Sequence, residues 1–173
     1  MGIAIRSILI EKYNIKTELK WPNDILIKNK KVCGILSEAA CDSDKIHYIL
    51  TGVGINVNMS KTKINDDIKN DATSLLIESN SLESISRSNL LVEILEKFSS
   101  TLKLFDNKDG IKRIIEEYRN ICSTIGKEVM IIQDDVTLIG DAINISSQGA
   151  LIVRINGKEN LFFASDVKHL RLN

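Results

Sequence analysis

Lys20-Trp21-Pro22-Asn23-Asp24 holds the only Trp and the only Pro of the 173-residue sequence. A β-prone run, residues 15–20, leads into it, and Ile25-Leu26-Ile27 leads out. Pro22 fixes φ and removes a donor, and Asn23 and Asp24 are natural turn residues. The stretch therefore predicts a strand, a sharp turn and a second strand. Lys20 falls where the first strand ends, a rigid place to present an ammonium group. The plainer alternative is an ordinary turn with a lysine snorkelling beside a tryptophan.

Working outward, residues 24–28 and 31–38 predict a hairpin joined by Asn29-Lys30. Residues 39–45 read as polar loop, and 46–58 as a long strand interrupted by Gly52 and Gly54. Glycine inside a strand marks a bulge or the close approach of another group to the backbone. Upstream, residues 1–13 predict a helix apolar on nearly every side, which is the pattern of a buried one. Such a first element implies either a larger domain continuing upstream or an oligomer interface that covers it. Asn14 reads as its stop.

Residues 59–83 are rich in Lys, Asn, Asp and Ser and read as loop, with Ala72-Thr73-Ser74-Leu75 as an ordered piece. Ser84 or Ser86 offers an N-cap for a helix with Leu91, Ile94, Leu95, Phe98, Leu102 and Phe105 on its face. Residues 106–110 break it. A second helix carries Ile111, Ile114, Ile115, Tyr118 and Ile121. From Ser123 the texture changes to short β-prone runs at 128–133, 136–145, 150–155, 160–164 and 167–171. Asp134-Asp135, Ser147-Gln148-Gly149 and Asn156-Gly157 punctuate them, and the last pair is a strong two-residue hairpin signal. Five strands in about fifty residues fit a small antiparallel barrel of SH3-like size. Two domains are expected, residues 1–122 and 123–173.

The 23 basic and 23 acidic residues give a formal net charge of +0. That offers no electrostatic case for nucleic acid or an anionic membrane as partner. The three cysteines, Cys33, Cys41 and Cys122, are widely spaced and include no CxxC. They argue against a disulfide framework or a zinc site and fit reduced cytosolic thiols. There is no leader of signal-peptide type and no apolar run of membrane-spanning length, so a soluble cytoplasmic protein is expected. His47 and His169 are lone in sequence and are assigned no chemistry.

Three stretches carry a resemblance: Lys20 to Asp24, then Lys31-Val32-Cys33-Gly34-Ile35-Leu36, then Gly52-Val53-Gly54-Ile55-Asn56-Val57-Asn58. In this order and at these spacings they resemble the biotin protein ligase family. The resemblance implies an α+β fold: a partial mixed β-sheet with packed helices, as in class II synthetases and biotin ligases, followed by an SH3-like β-barrel. It implies an ATP-dependent ligase that activates biotin as biotinyl-adenylate and transfers it to a lysine of a biotin carboxyl carrier protein. Related lipoate or octanoate ligases or transferases, and an inactive remnant of a biotin ligase, are the alternatives.

The same resemblance implies roles by residue. Lys20 would be catalytic and touch both biotin and the adenylate. Trp21, Gly34, Ile35 and Gly52 would bind biotin, and Asn23, Asp24, Gly54 and Asn56 the nucleotide. Asp24 would help hold Mg²⁺ on the phosphates. The residue types suit these tasks. A positioned ammonium stabilises charge building on phosphorus oxygens, and a carboxylate suits a hard cation. Glycine admits a flat ligand to the backbone, though Gly34 could equally mark a bulge. An Asn amide can read an adenine edge with one donor and one acceptor, though Asn56 could equally be a strand-end residue. Gly52-Val53-Gly54 is not the GxGxxG dinucleotide fingerprint.

Full-length members of that family carry a Gly-Arg-Gly-Arg segment upstream of the Lys-Trp-Pro-Asn-Asp motif, and this sequence has no Gly-Arg pair. The chain is thus expected to match the C-terminal two-thirds of a ligase. No helix-turn-helix precedes the motif, so operator binding gains no support. A homodimer is admitted as a partner.

Overall fold

The computed structural model describes residues 1–42, 44–64, 70–79, 83–133, 136–163 and 166–170. The chain divides into two compact units, Met1–Thr17 with Asn23–Phe98, and Glu18–Pro22 with Ser99–Asn173. The predicted turn Asp134-Asp135 lies outside the described residues, as do Ala164 and Arg171 at the ends of two predicted strands.

In the first unit, helix α1 (Gly2–Glu11) buries Ile3, Ala4, Ile5, Ile8 and Leu9. Its other side is less apolar in practice than the sequence suggests. Arg6 is half-buried and donates from Nε to the Thr17 carbonyl at 3.1 Å, and Glu11 and Lys12 are exposed. Asn14 stops the helix in the left-handed region (φ 53°), and the Ile15 N–H reaches back to the Leu9 carbonyl at 2.9 Å. The Asn14 N–H also donates to the Ile10 carbonyl at 3.2 Å, the 5→1 bond of an αL helix cap.

Strands β2 (Asp24–Ile27), β3 (Lys30–Cys41) and β4 (Ile46–Ile55) follow in that order across an antiparallel sheet, with β4 at its edge. Lys28 and Asn29 both have positive φ (50° and 65°), so the tight turn falls one residue earlier than expected. Residues 39–41, expected to be loop, extend β3, because Ala39 and Ala40 pair with Ile49 and Tyr48 of β4. Nothing local in an Ala-Ala-Cys run marks that long pairing. The ribbon leaves Leu36, Ile46, Tyr48, Ile49 and Leu50 exposed.

Helix α2 (Leu75–Glu78) is capped by the Ser74 hydroxyl, which accepts from the Ile77 N–H at 3.2 Å. Helix α3 (Arg87–Leu102) starts after Ser86, whose hydroxyl accepts from the Asn89 N–H at 3.3 Å, as an N-cap should. Its buried face is only in part the predicted one. Ile94 is buried and Phe98 half-buried, as predicted, but Leu90 is buried as well, whereas Leu91 and Leu95 are 57% and 50% exposed. Apolar residues lie on both sides of this helix, so their spacing alone does not tell which side meets the core. Tyr13 donates to Glu93, and Lys97 pairs with Glu11, along the same unit.

The second unit contains β1 (Glu18–Lys20), helix α4 (Gly110–Ile121) and strands β5 (Glu128–Gln133), β6 (Val136–Ile145), β7 (Leu151–Ile155), β8 (Lys158–Phe162) and β9 (Asp166–His169). Gly110 is required at the start of α4: a Cβ there would sit 1.6 Å from the Leu104 carbonyl oxygen. On α4, Ile114, Ile115, Tyr118 and Ile121 are half-buried and Ile111 is exposed. The five later strands lie in the order β8-β7-β6-β5-β9, every neighbouring pair antiparallel. Asn156 and Gly157 (φ 50° and 79°) make the hairpin turn the sequence announces. Among the described residues β8 and β9 do not pair with each other, so closure into a barrel is not seen. The core of this unit combines Val129, Ile131, Ile145, Leu151 and Val153 with Trp21 and Cys122. Helices and antiparallel sheets occupy separate stretches, and the chain is α+β.

Candidate functional site

The first unit holds a cavity of about 250 Å³ lined by Val32, Cys33 and Gly34 of β3, by Gly54 and Asn56, and by Lys31, Asp71 and Ala72. Backbone pairing builds it. The Lys31 N–H donates to the Asp71 carbonyl at 2.7 Å, and Thr73 N–H to the Lys31 carbonyl at 2.9 Å. The 71–73 segment thereby lies along β3. The cavity is smaller than the roughly 300–1,000 Å³ of drug-sized sites, which suits one compact ring system rather than a whole nucleotide.

Gly34 lies opposite both Asp24 and Gly54 in unbroken register. The bulge falls instead at Val32, which is skipped between the Ile25–Cys33 and Leu26–Lys31 pairs. A Cβ on Gly34 would lie 3.1 Å from the Lys31 Cε and Nζ. The missing side chain thus makes room for Lys31, which crosses Gly34 to pair with the Asp24 carboxylate. Burial pushes the Cys33 thiol up to about 12, and the Asp24 carboxylate adds to the effect while Lys31 opposes it. Cys33 is a wall of the cavity and not a nucleophile.

Asn56 is held by three hydrogen bonds. Its N–H donates to the Val32 carbonyl and its carbonyl accepts from Leu75, both at 2.9 Å. Its Nδ2 donates to the Thr73 carbonyl at 3.0 Å, which fixes the amide plane and leaves Oδ1 and one N–H for other partners. Thr73 is itself buried and donates to Glu78 Oε1 at 2.8 Å, and Lys28 pairs with Glu78 Oε2 at 2.9 Å. Burial alone would raise the Glu78 pKa, but the Lys28 and Thr73 hydrogen bonds outweigh it and hold the carboxyl below its usual range. Sequence reasoning missed Thr73 and Glu78, whose one signal was a short ordered piece inside a polar loop.

Of the other predicted residues in this unit, Asn23 accepts the Ile35 N–H on its carbonyl at 2.9 Å. Ile35 and Gly52 do not line the cavity. Asp24 is the candidate carboxylate for a cation, and it already carries Lys31. Among the described residues no three His, Cys, Asp or Glu side chains are gathered as a metal site.

Lys20, Trp21 and Pro22 belong to the second unit, where the loop residues Ser123, Thr124 and Gly149 hold Leu19 and Trp21. Trp21 is 3% exposed within that unit's core. Its backbone N–H donates to the Thr124 hydroxyl and its indole N–H to the Gly149 carbonyl, each at 3.0 Å. The Ser123 N–H and hydroxyl both donate to the Leu19 carbonyl, at 2.7 and 3.2 Å. The Trp21–Pro22 peptide bond is cis. Lys20 itself is half-buried. His169, set aside in the sequence, approaches the Thr124 hydroxyl through Nε2 at 3.0 Å.

The unit-one motifs thus gather Gly34, Gly54 and Asn56 around one cavity, with Asp24 beside it. Lys20 and Trp21 are presented from a turn whose partners lie about a hundred residues onward. Comparison with known proteins bears on both. Residues 4–56 match the biotin/lipoate A/B protein ligase family. The bifunctional ligase/repressor BirA of Bacillus subtilis is 30% identical over 169 residues, covering 96% of this chain and 50% of that protein. The biotin–[acetyl-CoA-carboxylase] ligase of Mycobacterium tuberculosis is 31% identical over 157 residues, covering 90% and 54%. The chain spans about half the length of the curated relatives it matches. A biotin protein ligase from Aquifex aeolicus solved with biotin and ATP superposes with a TM-score of 0.81 at 26% identity, covering 98% of this chain and 69% of that one. Among the described residues no helix is long and apolar enough to cross a membrane.

Proposed function

We propose that this chain is a biotin/lipoate A/B protein ligase family member that activates biotin with ATP and passes it to a lysine of a biotin carboxyl carrier protein. The observation that carries the reading is the Lys20 motif inside the matched region, with its backbone tied down by Thr124 and Ser123 and its Trp21 indole by Gly149. The biotin carboxylate attacks the α-phosphorus of ATP, pyrophosphate leaves, and a mixed anhydride forms. The acceptor lysine then attacks the acyl carbon, and AMP leaves. Lys20 stabilises the charge that gathers on the phosphorus oxygens, because its ammonium is oriented before reaction.

Gly34, Ile35, Gly52 and Trp21 serve biotin, and Asn23, Asp24, Gly54 and Asn56 the nucleotide. The pinned Asn56 amide supports its part, since it presents one acceptor and one donor in a fixed plane. Magnesium would arrive with the triphosphate, held by phosphate oxygens and water, with Asp24 as the single candidate protein ligand. We read residues 1–122 as the catalytic domain and 123–173 as an SH3-like domain, and place the protein in the cytoplasm. The open edge of β4 supports a homodimer. The names of the Mycobacterium tuberculosis relative and the Aquifex aeolicus structure favour biotin over lipoate or octanoate.

Pyrophosphate release with biotin and ATP tests the reading. The protein should turn over, and Lys20→Ala should slow it about a hundredfold or more with an unchanged circular dichroism spectrum. Near wild-type turnover in the variant contradicts the role of Lys20, and an inactive parent returns the chain to the inactive-remnant alternative.

A further inference from the structure

The second unit carries a side-chain chain that the proposed chemistry does not use, running from Lys127 through His169 and Thr124 to the backbone of Trp21. Lys127 Nζ lies 3.4 Å from His169 Nδ1, His169 Nε2 lies 3.0 Å from Thr124 Oγ1, and Thr124 Oγ1 accepts the Trp21 N–H at 3.0 Å. The direction of each bond follows from the donor inventory. An ammonium can only donate, so Nδ1 must accept. The proton of the neutral ring is then on Nε2, and Nε2–H donates to the Thr124 hydroxyl. Thr124, fully buried, accepts two N–H groups and is held by both.

Protonating His169 would place a second N–H on Nδ1, facing the Lys127 ammonium. Burial, then the charges of Lys127 and Lys20, lower the His169 pKa to about 4. The ring therefore stays neutral near pH 7 and keeps one tautomer. It acts as a fixed donor and not as an acid or base.

We infer that His169 is a positioning residue: through the Thr124 hydroxyl it fixes the Trp21 backbone from which Lys20 is presented. This rests on the ligase reading for its catalytic consequence, but not for its structural one. The geometry requires an N–H at the Nε2 position of residue 169 and a hydroxyl at residue 124. Glutamine can supply the first and serine the second. Alanine and valine cannot.

The test uses the full chain and two readouts. In ¹⁵N–¹H spectra the Trp21 amide resonance should move in His169→Ala and Thr124→Val, and return towards its parent position in His169→Gln and Thr124→Ser. Pyrophosphate release should fall on the order of ten- to a hundredfold in the first pair, chiefly in kcat, and recover in the second pair. His169→Ala should have no further effect on turnover in a Lys20→Ala background, because its influence passes through Lys20. An unmoved Trp21 amide in His169→Ala overturns the inference whether or not the protein is active. So does a multiplicative loss in the double variant, or failure of His169→Gln to recover a folded protein's rate. A parent that releases no pyrophosphate overturns the ligase reading alone, and the amide resonances still decide the positioning role.

Discussion

The two units present their candidate residues in opposite ways. In the first, the cavity wall is strand backbone bared by Gly34 and Gly54, on a ribbon whose edge strand leaves Tyr48, Ile49 and Leu50 about 60% or more exposed. In the second, Lys20 stands next to Trp21, which is buried and hydrogen-bonded at both nitrogens. Recognition of a flat ring needs close approach to backbone, and glycines in register supply it. A charge contact needs one fixed position, and a turn locked into a core supplies that. The difference teaches that the Lys20 motif takes its geometry from chain about a hundred residues onward, while the cavity takes its geometry from strands and a segment within about forty residues.

The largest expected effect falls on the locked turn. Trp21→Ala should destabilise the second unit by about 3–5 kcal/mol, from the lost side-chain volume and the unpaired Gly149 carbonyl. Urea unfolding followed by far-ultraviolet circular dichroism measures it. A loss below about 1 kcal/mol would erase the contrast between the units.

A smaller effect belongs to the cavity. Asn56→Ala should cost about 1–3 kcal/mol, because the buried Thr73 carbonyl loses its side-chain donor. If the nucleotide assignment is right, ATP should weaken more than biotin in calorimetric titrations. Equal losses for both ligands would contradict it.

The smallest effect sharpens the comparison by pH. His169 has a folded-state pKa of about 4 against 6.5 in the open chain. On acidification the unfolded state takes up the proton first. Stability from this group is therefore full above pH 6.5 and is lost as pH falls from 6.5 towards 4. After discounting for the exposed part of the ring, the loss is on the order of 1 kcal/mol. Melting temperatures across that window should fall less in His169→Gln than in the parent, and an equal slope would dismiss the histidine as the cause.

Much of this architecture was legible because its signals are local. Asn156-Gly157 names its own turn and Asn14 its own helix end, and of the two serines offered as helix start, Ser84 and Ser86, the second is the cap. The resemblance singled out Gly34 for biotin and Gly54 and Asn56 for the nucleotide, and all three line one cavity. What was not legible depends on distant partners. Residues 39–41 become strand only because β4 runs long enough to pair with them. The buried face of α3 is chosen by what it packs on, and Leu90 lies beside Leu91 in sequence. Trp21 gave no sign that its partners would be Thr124 and Gly149. His169 looked solitary for the same reason, since its neighbours Thr124 and Lys127 come from a loop about 40 residues earlier.

Native-state hydrogen exchange of the Trp21 amide tests the central claim most directly, that the turn carrying Lys20 is held rigid by the second unit through Thr124. Turn amides ordinarily exchange by local fluctuation, and core-strand amides only on global opening. The account predicts that the Trp21 amide exchanges as slowly as those of Ile131 and Val153, while the outward amides of β4 exchange far faster. A Trp21 amide that exchanges as fast as those β4 amides would contradict it.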